Sequence, residues 1–163
     1  MKIFTEIELN FLNYFFNTAE KQKRISGGKK YEFAIITSKD TDIISKLLDW
    51  FERESGENLK NRPNYLFLHS YNVGDYFELH NDMIERDYKH REYVLGFHIN
   101  DDYEGGEYIL YNPNSVIEKT AGVPYYFKAD RPHEIKKITK GNRKSALIFI
   151  HSEDLIKVER SII

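Results

Sequence analysis

His80 and Asp82 stand two residues apart in the stretch Tyr71–Met83, YNVGDYFELHNDM. On an extended strand, residues i and i+2 face the same way, so this imidazole and carboxylate can converge on one metal ion. Two protein ligands seldom complete a site. The best third ligand downstream is His133, in ADRPHEIKKITKGNRKSA, followed ten residues later by Arg143 and then by Ser145. Two histidines and one aspartate on one face of a metal form the donor set of non-haem Fe(II) oxygenases, which leaves positions open for substrates. A planar guanidinium that never deprotonates pairs bidentately with carboxylates. Arg143 therefore suits the far carboxylate of a dicarboxylic co-substrate, with Ser145 adding a hydroxyl bond.

An H-x-D triplet alone is a weak signal. The third histidine, the Arg143 spacing and the Tyr71–Gly74 prelude strengthen it, and here the chain resembles the Fe(II)/2-oxoglutarate-dependent dioxygenases, in particular the prolyl 4-hydroxylase branch. That pattern reads Y-x-x-G-x(5)-H-x-D, then a GGE turn, then H-x(9)-[RK]-x-S. This chain has Tyr71, Gly74, His80 and Asp82, then Gly105-Gly106-Glu107, then His133, Arg143 and Ser145. The resemblance covers about Leu66 to Ser152. It implies Fe(II) on His80, Asp82 and His133, with 2-oxoglutarate and O₂ as co-substrates and ascorbate as a reductant. It also implies a tyrosine contact to 2-oxoglutarate at Tyr71. Where the family often has Tyr-Leu-Asn, this chain has His98-Ile99-Asn100. An imidazole at His98 could replace that tyrosine as a co-substrate contact, although it is shorter and titratable.

The implied reaction is hydroxylation of a substrate C–H bond, with succinate and CO₂ as co-products. A peptidyl substrate is favoured, most simply a proline; other residues and small molecules remain alternatives. The nucleic-acid demethylase branch usually carries a second arginine six residues after the co-substrate arginine, and here that position is Phe149. A non-enzymatic metal-binding jelly roll would have little use for Arg143. A zinc hydrolase would need a glutamate base and would also leave Arg143 idle.

Strands must position these residues, and helices must support the strands. Along Arg143–His151, one face carries Arg143, Ser145, Leu147 and Phe149, and the other carries Lys144, Ala146, Ile148 and Ile150. Both faces become apolar, so this strand is expected to be central and buried, with an inward arginine that needs an anion. Thr5 to about Arg24 is expected to be a helix with Thr5 and Glu8 at capping-box spacing, burying Ile7, Phe11, Tyr14, Phe15 and Thr18 and ending at Ser26-Gly27-Gly28. Tyr31–Thr37 is expected to be a strand. A second helix over Thr41–Glu54 is expected to bury Ile43, Ile44, Leu47, Leu48 and Phe51, with Gly56 beyond its end. Further strands are expected at Tyr65–Tyr71, Tyr76–His80, Tyr93–Asn100, Glu107–Tyr111, Val116–Lys119, Tyr125–Lys128, His133–Thr139 and Lys144–His151. The fold class is therefore α+β: a double-stranded β-helix, or jelly roll, with N-terminal helices packed on one sheet. Residues 1–163 form one domain, with a helical support region over 1–60 and a jelly-roll core over 64–152. The charged segment Met83–Glu92 follows the metal motif directly and is expected to be a substrate lid.

The chain has 163 residues, a formal net charge of −2 and no cysteine. Its length allows one well-buried core. Its charge balance disfavours nucleic-acid or anionic-membrane partners, while leaving room for a local basic groove. The lack of cysteine excludes disulfides and thiolate metal sites. No segment reads as a signal peptide or a membrane span, which fits a cytoplasmic protein.

Overall fold

The computed structural model describes residues 1–83 and 90–157. Helix α1 (Glu6–Thr18) is followed by strands β1 (Gln22–Ser26) and β2 (Lys29–Thr37), and then by helix α2 (Ile43–Ser55). Next come β3 (Tyr65–Tyr71), β4 (Tyr76–His80), β5 (Arg91–His98), β6 (Glu104–Gly105), β7 (Tyr108–Leu110) and β8 (Ser115–Val116). The chain closes with β9 (Pro124–Lys128), β10 (His133–Ile135), β11 (Ile138–Lys140) and β12 (Arg143–His151), capped by a 3₁₀ turn at Ser152–Asp154.

Ten strands form one curled antiparallel sheet in the order β8-β7-β10-β4-β2-β3-β12-β5-β9, with β1 attached to β2. Strand β2 joins the two halves of the curl. It pairs with β3 through Glu32–Thr37 and with β4 through Lys29 and Lys30. The outer face of the larger half carries Leu66, Leu68, Leu95, Ala146, Ile148 and Ile150, and both helices pack onto it. The inner face carries a second cluster that includes Tyr71, Tyr108, Phe127, Leu147 and Phe149. Strand β12 therefore has the period-2 division expected of it, helix-facing on one side and lumen-facing on the other. This is the jelly-roll arrangement with helices on one sheet.

The helices follow their caps. Thr5 Oγ1 accepts from the Glu8 N–H, and the Glu8 carboxylate accepts from the Thr5 N–H, which completes a capping box. Helix α2 ends on Gly56 in the left-handed region and buries the five apolar residues expected of it. Helix α1 differs from expectation in two ways. It buries Leu9, Leu12 and Phe16, whereas Ile7 and Tyr14 are exposed. Two apolar stripes share this helix, and the aliphatic one docks. The helix also stops at Thr18, because Gln22–Ser26 is a strand that forms a hairpin with β2 across Gly27-Gly28. Both glycines have positive φ, 57° and 79°, the backbone that a two-residue hairpin turn requires.

The expected strand His133–Thr139 is broken in two. Strand β10 pairs with β4 and β7, whereas β11 pairs with β6 in a separate two-stranded ribbon. Gly96 in β5 lies under a tyrosine ring. A Cβ there would sit 2.6 Å from the Ala146 carbonyl oxygen and 2.7 Å from the Tyr125 hydroxyl. Neither β12 nor the partly buried ring, packed on Tyr108, can withdraw far. Gly96→Ala is therefore expected to destabilise the protein by about 1–3 kcal/mol, the usual cost of overpacking, read as a lowered midpoint in urea. An unchanged midpoint would show that Tyr125 is free to move.

Candidate active site

Strand pairing builds the site. The antiparallel register of β10 on β4 sets His133 opposite His80, and Asp82 follows just past the end of β4. The Asp82 N–H donates to the Ala129 carbonyl at 2.9 Å, which fixes the turn. The His80 ring stacks on Phe77 at 3.6 Å between centroids, and Phe127 meets His133 edge-on at 5.0 Å.

Each histidine has one nitrogen committed to backbone. His80 Nδ1 lies 2.7 Å from the Glu78 carbonyl, and His133 Nδ1 lies 2.8 Å from the Arg131 carbonyl. A carbonyl can only accept, so both Nδ1 atoms carry hydrogen, and in the neutral rings both Nε2 atoms present lone pairs. Those lone pairs face Asp82. Oδ1 is 3.6 Å from His80 Nε2, and Oδ2 is 3.0 Å from His133 Nε2. One ligand atom from each of the three residues falls within 4.8 Å of the others. Three acceptors converging with no proton left to share fit a divalent cation, and nitrogen with carboxylate oxygen suits Fe(II).

Arg143 lies in the same cavity of about 650 Å³ as His80, Asp82 and His133. Register sets it opposite Tyr71 on β3. Its side chain is wholly buried, and Nη1 donates to Ser145 Oγ at 3.2 Å. The guanidinium lies 5.2 Å from the Tyr71 ring and 5.4 Å from the Tyr108 ring. Among the described residues, Nε and Nη2 have no acceptor and no carboxylate pairs with Arg143. The Tyr71 and Tyr125 hydroxyls also lack partners. Burial pushes the Tyr125 phenol up to about 12 and the Tyr71 phenol well above its usual value, so both stay protonated donors. Orphaned donors around a buried cation are the complement of a small carboxylate.

His98 sits opposite Ser145 on β12, with Nδ1 unpartnered among the described residues. It lines a second cavity of about 540 Å³ with Tyr103, Gly106, Tyr108 and Lys119. That cavity shares the Tyr108 wall with the one lined by His80, Asp82 and His133. Burial, with the charges of Arg143 and Lys119, pushes the His98 imidazole down to about 3. An unfolded histidine takes up its proton near 6.5. Between these values the unfolded chain binds more protons, so stability falls as pH drops through that window. His98→Asn should flatten this dependence, so that urea midpoints at pH 7 and pH 5 differ less in the variant than in the parent. An unchanged difference would show that His98 does not carry the effect.

Several cavity residues carried no readable signal in the sequence. Tyr108 and Tyr125 are two of 12 tyrosines, and only strand register brings them to Arg143. His69 forms part of the cavity wall between Phe67 and Tyr71, neutral because burial and Arg143 push it down to about 3. His151 ends β12 and caps the 3₁₀ turn, with Nδ1 3.5 Å from Asp154. Of the segment Met83–Glu92 read as a lid, residues 84–89 lie outside the described residues; Arg91 and Glu92 begin β5. No helix among the described residues is long and apolar enough to cross a membrane.

Comparison with known proteins agrees with this geometry. No curated protein matches the chain. Its fold is shared with a 2OG-Fe(II) oxygenase family oxidoreductase from Burkholderia pseudomallei, at a TM-score of 0.77 and 12% identity over 93% of this chain and 82% of that one. It is shared too with the viral collagen prolyl hydroxylase of Paramecium Bursaria Chlorella virus-1, at 0.71 and 16% identity over 91% and 93% of the two chains. A prolyl hydroxylase from Trichoplax adhaerens, in complex with a hypoxia inducible factor peptide fragment, aligns at 0.64 and 17% identity over 91% and 76%. The family model of the 2OG-Fe(II) oxygenase superfamily matches residues 66–151, more than half of the chain and all of the segment that bears the three acceptors and Arg143. The chain belongs to that superfamily and is a 2-oxoglutarate-dependent dioxygenase whose cofactors are Fe(II), 2-oxoglutarate and O₂.

Proposed function

We propose that this dioxygenase hydroxylates a peptidyl substrate, with proline the first residue to test, and that residues 1–163 act as one catalytic domain. His80, Asp82 and His133 hold Fe(II) in this reading, and Arg143, Ser145 and Tyr71 hold the distal carboxylate of 2-oxoglutarate. One observation carries it: a buried guanidinium with no carboxylate partner among the described residues shares a cavity with a histidine–aspartate–histidine acceptor set. When bound, Fe(II) supplies the centre at which O₂ is split, one oxygen atom entering succinate as CO₂ leaves and the other entering the substrate.

The chain's own part is binding and exclusion. The backbone carbonyls of Glu78 and Arg131 orient the imidazoles through Nδ1. His80, Asp82 and His133 would hold the ion at one wall of the cavity, and the space towards Arg143 would be left for co-substrate. Ser145 and the Tyr71 phenol keep protons directed at the co-substrate anion, and Phe67, Phe77 and Phe149 keep water from the cavity wall. No side chain is needed as a general base. Peptide binding by the Trichoplax relative, on a shared fold, supports the substrate class.

The test is turnover with Fe(II), ascorbate and 2-oxoglutarate against a panel of proline-containing peptides. Succinate should form in step with a mass gain of one oxygen on a peptide. Succinate without oxygen on any peptide, or oxygen on a free small molecule instead, would overturn the peptidyl reading.

A further inference from the structure

The cavity lined by His80, Asp82 and His133 also has a floor of three phenylalanines, one from each of three neighbouring strands. Phe33 on β2 meets Phe67 on β3 at 6.0 Å, and Phe67 meets Phe149 on β12 at 6.1 Å, both edge-on. A guanidinium lies at each end of this row. Arg24, from the β1 edge, sits 5.0 Å from the Phe33 ring, and Arg91, at the start of β5, sits 3.7 Å from the Phe149 ring. All five residues line the same cavity as His80, Asp82 and His133.

Neither guanidinium has a carboxylate within salt-bridge distance among the described residues, although some exposed cations elsewhere do. Lys2, Lys46 and Arg62 each meet an acidic side chain at 2.6–2.8 Å. Arg91 is partly buried, and burial pushes its guanidinium below its ordinary value, with distant Asp82 only partly offsetting this. A desolvated cation left beside an aromatic floor is costly unless an anion arrives to meet it. The chain as a whole is slightly acidic, so this is a local arrangement and not a general surface property.

We propose that Arg24 and Arg91 select a prime substrate that bears a carboxylate close to the carbon to be oxidised, with its flat or apolar part lying on Phe33, Phe67 and Phe149. This rests on the oxygenase reading of the cavity and adds the charge of its substrate. The carboxylate comes from an acidic residue flanking the target in a peptide or from a free carboxylic acid. Two guanidiniums at the ends of a short floor match one or two carboxylates. They do not form the continuous basic track that a nucleic-acid strand would need.

The experiment measures binding to Mn(II)-loaded full-length protein with N-oxalylglycine in place of 2-oxoglutarate, so that no turnover intervenes. Fluorescence polarisation would follow labelled proline-centred peptides flanked by glutamate, glutamine or lysine. The glutamate peptide should bind about tenfold or more tightly than the glutamine peptide, with the advantage shrinking as salt is added. Arg91→Gln should remove that advantage while leaving the glutamine peptide where it was, and Arg91→Lys should keep part of it. If neither peptide binds detectably but 3-phenylpropionate, followed by titration calorimetry, binds and is weakened by Arg91→Gln, the source is a free acid. Equal binding of glutamate and glutamine peptides, an equal loss of both in Arg91→Gln, no binding in either arm, or preference for a single-stranded oligonucleotide would each overturn the proposal. A glutamate peptide that binds but gains no oxygen under turnover conditions would leave the charge selection standing and remove the peptide-hydroxylase reading instead.

Discussion

Methionine in place of Arg143 should raise the melting temperature of the co-substrate-free protein and abolish its response to 2-oxoglutarate. The parent side chain is fully buried, with one hydrogen bond to Ser145 and two guanidinium nitrogens lacking acceptors among the described residues. A buried charge without its counter-ion costs several kcal/mol, and an apolar side chain of similar length removes that cost. The same change removes the partner of a desolvated carboxylate, which typically costs about 2–5 kcal/mol of binding, roughly 30-fold or more in affinity. Melts of the Mn(II)-loaded proteins would show it. The parent should gain about 2.7 kcal/mol at 100 times its dissociation constant for 2-oxoglutarate, and the variant nothing. Mn(II) affinity should be nearly unchanged, because Arg143 does not belong to the acceptor set. Equal loss of metal and co-substrate binding would make Arg143 a structural residue.

Asp82→Ala should have the larger effect on metal. Asp82 is the only anionic member of the set, and both histidines have already given their Nδ1 hydrogens to backbone carbonyls. Loss of an outer-shell partner costs about 10–100-fold in metal affinity, so loss of the carboxylate ligand itself should exceed about 100-fold. Mn(II) titration would measure this, and succinate formation should fall to background. A variant that still binds Mn(II) within tenfold of the parent would show that the ion sits elsewhere. The two variants fail differently: one keeps metal and loses co-substrate, and the other loses both.

Much of this site was legible because it obeys short-range rules. Arg143 and Ser145 share a strand face with Leu147 and Phe149, and a two-residue period settles which way they point. Motif spacing named His80, Asp82 and His133, and antiparallel register brings them together. What was not legible depended on choices between equals or on long-range pairing. Helix α1 carries two apolar stripes, and only docking against the sheet selects Leu9, Leu12 and Phe16. Strand β1 buries none of its five residues, so it shows no alternation to read. Tyr125 reaches the Arg143 pocket because Gly96 opposite it has no side chain, a relation between strands about 30 residues apart that no local pattern encodes.

The β1–β2 hairpin has a bearing on self-association. Among the described residues strand β1 pairs only with β2, so its outer edge offers unpaired backbone groups to any passing strand. Such edges invite other chains to add on and seed aggregates. Here the edge is short, fully exposed and charged through Lys23 and Arg24. Adding a second copy in antiparallel register would crowd like charges against each other with no apolar face to gain. The same basic character that places Arg24 over the cavity thus also discourages the sheet from growing outward.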